Sequence, residues 1–199
     1  MKYIIAIMIV LTVGCKFPVD YDVSVGSRWP GGMVPYCTSG SFSNEERITD
    51  SMREWEDAGN PTGIEFYPEP CGPGVLTIIS SLEYKATIGY NETNVMYLDR
   101  LSMSTSSITH ELGHVLGLLH EFQRYDAKYH VKDCATTGID NIAQFDNPLY
   151  IEENLQFDYS SIMLYNACVS ITSTPITYRY GPSDIDLAKI RAIYMDIYP

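Results

Sequence analysis

His110-Glu111-Leu112-Gly113-His114-Val115-Leu116-Gly117-Leu118-Leu119-His120 is the stretch on which the reading of this chain turns. On a helix, His110 and His114 stand at i and i+4, one above the other on the same face. Two imidazole nitrogens so placed reach one zinc ion at about 2.0–2.1 Å. Glu111 lies about 100° further round the helix, beside the metal rather than on it. From there its carboxylate serves as general base towards water and then as acid towards a leaving amine. Gly117 permits the left-handed backbone that ends a helix, so the chain turns back and brings in His120 as a third ligand. Three protein ligands leave a coordination position open, as catalytic zinc sites require.

A lone His-Glu-x-x-His is a weak signal. Five specified residues at a few per cent usage match by chance on the order of once in 10⁴ such chains, and this pattern takes three of the chain's four histidines. Chance is therefore a poor account. The alternative worth carrying is a fold that keeps zinc without turnover, a non-catalytic extracellular binding protein.

Outward from the motif, Ser106 or a neighbour caps the helix, which runs to about Leu116. Upstream, Asn94–Asp99, Val75–Ser80 and Ile64–Tyr67 read as strands rich in β-branched residues, with Lys85–Tyr90 as a further one. Ser43-Asn44-Glu45-Glu46 has the form of a capping box, and Ile48, Met52 and Trp55 recur on one face of the helix it opens. Trp29-Pro30-Gly31-Gly32 marks a turn before a short strand at Met33–Tyr36. Downstream, no clear period holds from Lys128 to Pro175. Ser183 then caps a last helix carrying Leu187, Ile190 and Ile193. The sum is an α+β lobe, a central helix and a loop-rich lobe.

The composition narrows the setting. With 45% apolar residues among 199, a packed core is within reach and wholesale disorder is excluded. A net charge of −12 and the lack of any Lys/Arg-rich run exclude a nucleic-acid partner. Ile4–Val13, after Lys2, is an apolar run too short for the roughly 20 residues that span a bilayer, and it suits a signal peptide over residues 1–14. Leu11-Thr12-Val13-Gly14-Cys15 admits conventional cleavage or a lipobox, in which lipidated Cys15 tethers the protein to a membrane. Export is expected either way, to the outside or to the cell surface as a lipoprotein. An oxidising compartment suits the other four cysteines, Cys37, Cys71, Cys134 and Cys168. Of their three pairings, Cys37–Cys71 with Cys134–Cys168 would set one bridge on each side of the motif.

The eleven-residue motif is the metzincin signature, and its surroundings resemble one metzincin family. Glu121, Arg124 and Asp126 after His120 resemble the astacin pattern His-Glu-x-x-Arg-x-Asp. Tyr159-Ser160-Ser161-Ile162-Met163-Leu164-Tyr165 resembles the astacin Met-turn. Trp29–Tyr36 looks like the start of a mature astacin domain, and Ser183-Asp184-Ile185 with Tyr194 resembles its last helix. A matrixin fits Glu121 and Tyr165 less well. Departures are Leu164 in place of the Met-turn histidine, Asp126-Ala127-Lys128 in place of Asp-Arg-Asp, and Gly63 where a family cysteine is expected.

The resemblance implies a metzincin-like two-lobed zinc peptidase with a small, mostly parallel sheet and a long active-site helix. Its lobes would span about 28–120 and 121–199. One Zn2+ would be held by His110, His114 and His120, with Glu111 and Tyr165 catalytic and protein or peptide substrates. Tyr165 would ligate zinc at rest and swing out to the oxyanion, and Met163 would floor the ligands. Glu121 would sit behind the site against the mature N-terminus or a water network. Asn94–Asp99 would be the edge strand to which substrate adds. The family's preference for an acidic residue after the scissile bond would fall to Arg179. Residues 15–27 form a short pro-segment or spacer. Phe17-Pro18-Val19-Asp20 looks like a degraded latency motif, so Asp20, or a Cys15 thiolate, could plug the site, although a spacer is the preferred reading.

Overall fold

The computed structural model describes residues 27–56, 62–124, 126–134, 156–177 and 180–194. The signal-peptide, Cys15, Asp20 and Arg179 readings lie outside these residues. β1 (Met33–Ser39), β2 (Glu65–Pro68), β3 (Leu76–Ser81), β4 (Lys85–Ala86) and β5 (Asn94–Asp99) form one sheet in the order β2-β1-β3-β5-β4. All neighbours are parallel except β4, which runs antiparallel to β5. Parallel pairing demands crossovers, and α1 (Glu46–Glu56) supplies one between β1 and β2. Ile48, Met52 and Trp55 are all buried on α1, as their spacing predicts.

The sheet corrects one expectation. Asn94–Asp99 is a strand as read, but it lies inside the sheet between β3 and β4, and the edge belongs to Lys85–Ala86. Two residues are too few to show an alternating pattern, so the sequence points to the longer, more apolar neighbour. The strand read at Lys85–Tyr90 is shorter than expected, and its far end makes a single antiparallel bridge, Tyr90 with Ser27.

α2 (Thr105–Val115) packs on this sheet and against α1. Its N-cap is Ser104, within the reading of Ser106 or a neighbour. Carbonyls left over at its C-terminus are satisfied by Trp29 ahead of β1 and by Tyr194 in the last helix. Trp29 Nε1 donates to Val115 O at 2.8 Å and Tyr194 Oη to Leu116 O at 3.0 Å. The first turn of the fold and the last turn of α3 (Asp184–Tyr194) are thus nailed to the end of α2. Ser183 caps α3 as read: its Oγ accepts the Asp186 N–H at 2.9 Å, and Asp186 Oδ2 accepts the Ser183 N–H at 3.0 Å.

Among the described residues, the second half holds two single-turn helices, Glu121–Gln123 and Ala127–Tyr129, and the antiparallel pair β6 (Val131–Lys132) and β7 (Val169–Ser170). It has its own small apolar cluster around Phe157, Leu164 and Cys168, apart from the main core under α2. The cysteines pair as Cys37–Cys71 and Cys134–Cys168.

Candidate metal centre

The helix period does for His110 and His114 what the sequence predicts, and Gly117 does the rest. With φ at +102° it occupies the left-handed region, and Leu118 N–H and Gly117 N–H close back on Gly113 O and His114 O at 2.9 and 2.8 Å. The chain then doubles back and sets His120 beside the helix. One nitrogen from each of His110, His114 and His120 lies within 4.8 Å of the others.

Each imidazole is oriented by its other nitrogen. His110 Nδ1 donates to Ile162 O at 2.8 Å and His114 Nδ1 to Leu118 O at 2.8 Å. His120 Nδ1 donates to Gln123 Oε1 at 3.1 Å. With Nδ1 carrying the proton, every Nε2 presents a lone pair. His114 Nε2 and His120 Nε2 then face each other at 3.2 Å as two acceptors. Such a contact is repulsive unless a cation sits between them. Two nitrogens at about 2.0–2.1 Å from one tetrahedral zinc stand about 3.3 Å apart, so the residues present fit that ion. Burial keeps the three rings neutral, the form that ligates: it lowers His114 to about 3, with His110 adding to the effect, and lowers His110 and His120 as well.

Glu111 is buried, and burial pushes its carboxyl up to about 8. It shares with His110 and Tyr165 the lining of one cleft, a cavity of about 290 Å³ that Ser106, Ser107 and Thr177 also border. The Tyr165 ring lies 4.5 Å from that of His120 and 5.7 Å from that of His110. Met163 is buried beneath the helix, where a Cβ on Gly113 would come within 2.5 Å of its Sδ. Gly113 is therefore in the motif because the floor comes too close for a side chain.

Glu121 lies behind the site, as the resemblance implies, and the contact expected with the mature N-terminus falls outside the described residues. It is fully buried beside His120, and the cation on it is Lys189 of α3, with Arg124 Nη1 at 3.5 Å and the Asp158 N–H donating at 2.9 Å. Lys189 was not foreseen, and neither were Gln123 and Asp186. Asp186 accepts the Ser161 hydroxyl at 2.6 Å and the Ile162 N–H at 2.9 Å, which holds the turn that carries Met163. The capping-box spacing of His120 to Gln123 was the one local hint of the Gln123 role.

The described geometry has counterparts among known proteins. The chain is 23% identical over 185 residues to the zinc metalloproteinase nas-7 of Caenorhabditis elegans, covering 83% of this chain and 48% of that protein. It is 29% identical over 189 residues to the low choriolytic enzyme of Oryzias latipes, covering 84% and 69%. It thus spans about half the length of the first and two thirds of the second. Among solved structures, high choriolytic enzyme 1, a hatching enzyme zinc-protease from Oryzias latipes, superposes with a TM-score of 0.69 at 25% identity, over 86% of this chain and 94% of that one. Myroilysin, at 18% identity and a TM-score of 0.54, shares the fold over 84% of this chain and 95% of its own. The peptidase family described as Astacin matches residues 23–195. A match that begins ahead of Trp29 and ends beyond α3 takes in every element that builds the histidine cluster, and the chain belongs to the astacin family of peptidases.

Proposed function

We propose that this protein is an exported zinc metalloendopeptidase that hydrolyses peptide bonds in protein substrates. The observation that carries the proposal is the convergence of a buried carboxyl, Glu111, and a tyrosine, Tyr165, with His110 on one cleft, beside the cluster that His110 forms with His114 and His120. Zinc, when bound by His110, His114 and His120, supplies a Lewis acid for the scissile carbonyl and for water.

The chain's own groups do the proton and charge work. Glu111 takes the proton of the attacking water and returns it to the leaving amine, and a buried site that raises its basicity suits that exchange near neutral pH. Tyr165 gives its hydroxyl to the developing oxyanion. The outer edge of β4 receives the substrate backbone as an added strand. In an antiparallel ladder alternate residues turn their N–H and C=O to opposite sides. Thr87 N–H donates inward to Val95 O at 3.0 Å, so Ala86 presents its backbone outward. Export accords with the apolar leader Ile4–Val13 and with two disulfides. The lobes of the peptidase are taken as about 28–120 and 121–199, and residues 15–27 as a spacer.

The test is casein cleavage by the purified protein, with and without a zinc chelator, alongside Glu111→Ala. Cleavage abolished by both treatments supports the proposal. One zinc per chain with no cleavage of casein or of a mixed peptide library overturns it in favour of a binding protein.

A further inference from the structure

Two of the three candidate ligand histidines are braced from α3, through different turns. Asp186 holds the Ile162 N–H at 2.9 Å, and Ile162 O accepts from His110 Nδ1 at 2.8 Å. One turn later on the same helix, Lys189 reaches Glu121, the residue that follows His120. Glu121 begins the single turn whose last residue, Gln123, accepts both the His120 N–H at 3.0 Å and its Nδ1–H at 3.1 Å. The Glu121 N–H in turn donates to Met163 O at 3.0 Å. Whatever pins Glu121 pins the turn, and the turn orients His120.

We infer that Lys189 is a positioning residue for the third metal ligand, acting through Glu121. Burial makes the choice of lysine informative. Lys189 is buried on a helix face beside Ile190 and Ile193, where an apolar side chain would cost less. A buried ion pair adds little net stability over an apolar replacement, so stability does not account for it. The other nearby cation, Arg124, is committed to Asp126 through two hydrogen bonds of 2.9 and 3.0 Å, and its remaining nitrogen stands 3.5 Å from Glu121. Lys189 is thus the close cationic partner among the described residues, and it links the ligand turn to the helix that also holds the Met163 turn.

The inference rests on the three histidines holding zinc, and its test reads zinc rather than turnover. Zinc affinity of the full chain is measured by competition with a chromophoric chelator, and metal-free stability by thermal unfolding. The proteins compared are wild type, Lys189→Met and the double variant Lys189→Met/Glu121→Gln. Losing an outer-shell brace costs about 10-fold or more in metal affinity, and Lys189→Met is expected to show that loss. The double variant removes both charges of the pair, and Asp186, which also faces Lys189, keeps its hydrogen bonds from Ser161, Ile162 and Ser183. The variant should therefore unfold nearer the wild-type temperature than Lys189→Met does, yet still bind zinc about 10-fold more weakly. It decides the matter should Lys189→Met fail to fold. A double variant that binds zinc as wild type does overturns the inference. Wild type that binds no zinc at all overturns the metal site itself, a distinct result.

Discussion

His114 Nε2 and His120 Nε2 face each other at 3.2 Å, while the Nδ1 of each is turned to an oxygen, on Leu118 and Gln123 respectively. Burial, with the neighbouring imidazoles adding to it, holds His114 at about 3 and His120 well below the ordinary 6.5. Between those values the unfolded chain binds protons that the folded chain refuses, so stability falls as pH drops below about 6.5 and is unaffected by these groups above it. The metal-free protein should therefore show a thermal midpoint that declines from pH 7 to pH 5, and zinc should leave over the same range. Calorimetry of the chelated protein checks the first and metal analysis after dialysis the second. A flat midpoint in the Glu111→Gln background, where the opposing carboxyl is gone, would mean the rings are open to water.

Glu111 carries the opposite sign. Burial raises its carboxyl from 4.5 to about 8, so in the metal-free protein the folded state holds the extra proton and stability falls as pH rises between those values. Glu111→Gln removes the ionisation. Its midpoint should exceed that of wild type by an amount that grows from pH 5 to pH 8 and then levels. On the proposed chemistry the same variant keeps zinc and loses about 10²–10⁴ in kcat. Parallel pH profiles for the two proteins would argue that this carboxyl is well solvated.

Tyr165→Phe separates oxyanion stabilisation from metal binding. The ring lies among those of His120 and Phe122, at 4.5 and 5.0 Å, and phenylalanine fills the same space. Loss of one donor to an oxyanion costs about 10²–10³ in kcat, with zinc content and KM little changed. Wild-type kcat in this variant would remove Tyr165 from the mechanism.

Gly113 and Gly117 are required for different reasons, and alanine at each should show it. At Gly117 an added Cβ meets nothing within 4 Å, but φ is +102°, so the cost is backbone strain of about 1–2 kcal/mol. At Gly113 the Cβ would lie 2.5 Å from Met163 Sδ and 3.1 Å from Trp55, an overpacking of about 1–3 kcal/mol. Adding Met163→Ala should recover part of the Gly113→Ala loss and none of the Gly117→Ala loss. Denaturant unfolding of the two glycine variants, of Met163→Ala and of the two double variants measures both, each recovery being counted against Met163→Ala alone. Equal recovery in the two pairs would contradict the contact.

What could be read without coordinates was local. His110 and His114 on one face, the turn at Gly117, the buried Ile48, Met52 and Trp55 and the Ser183 cap each depend on residues a few positions apart, where helix geometry alone decides the outcome. Met163 and Tyr165 came from a resemblance carried by a motif, without a period behind it. The edge strand was misplaced because Lys85–Ala86 is too short to declare itself, and its role depends on which strand pairs outside β5.

By itself, then, the chain's order of residues pointed to the three clustered histidines, to the zinc chemistry proposed for them and to the first and last α-helices. Tertiary structure alone decided which cation meets Glu121, which oxygens orient the imidazoles and which strand lies at the edge of the sheet beside β5. Lys189 and Glu121 are 68 residues apart, and His110 and Ile162 are 52 apart. No helical or strand period relates residues at such separations. They meet because α3 and the Met163 turn pack against the end of α2, and only the packed core brings that about.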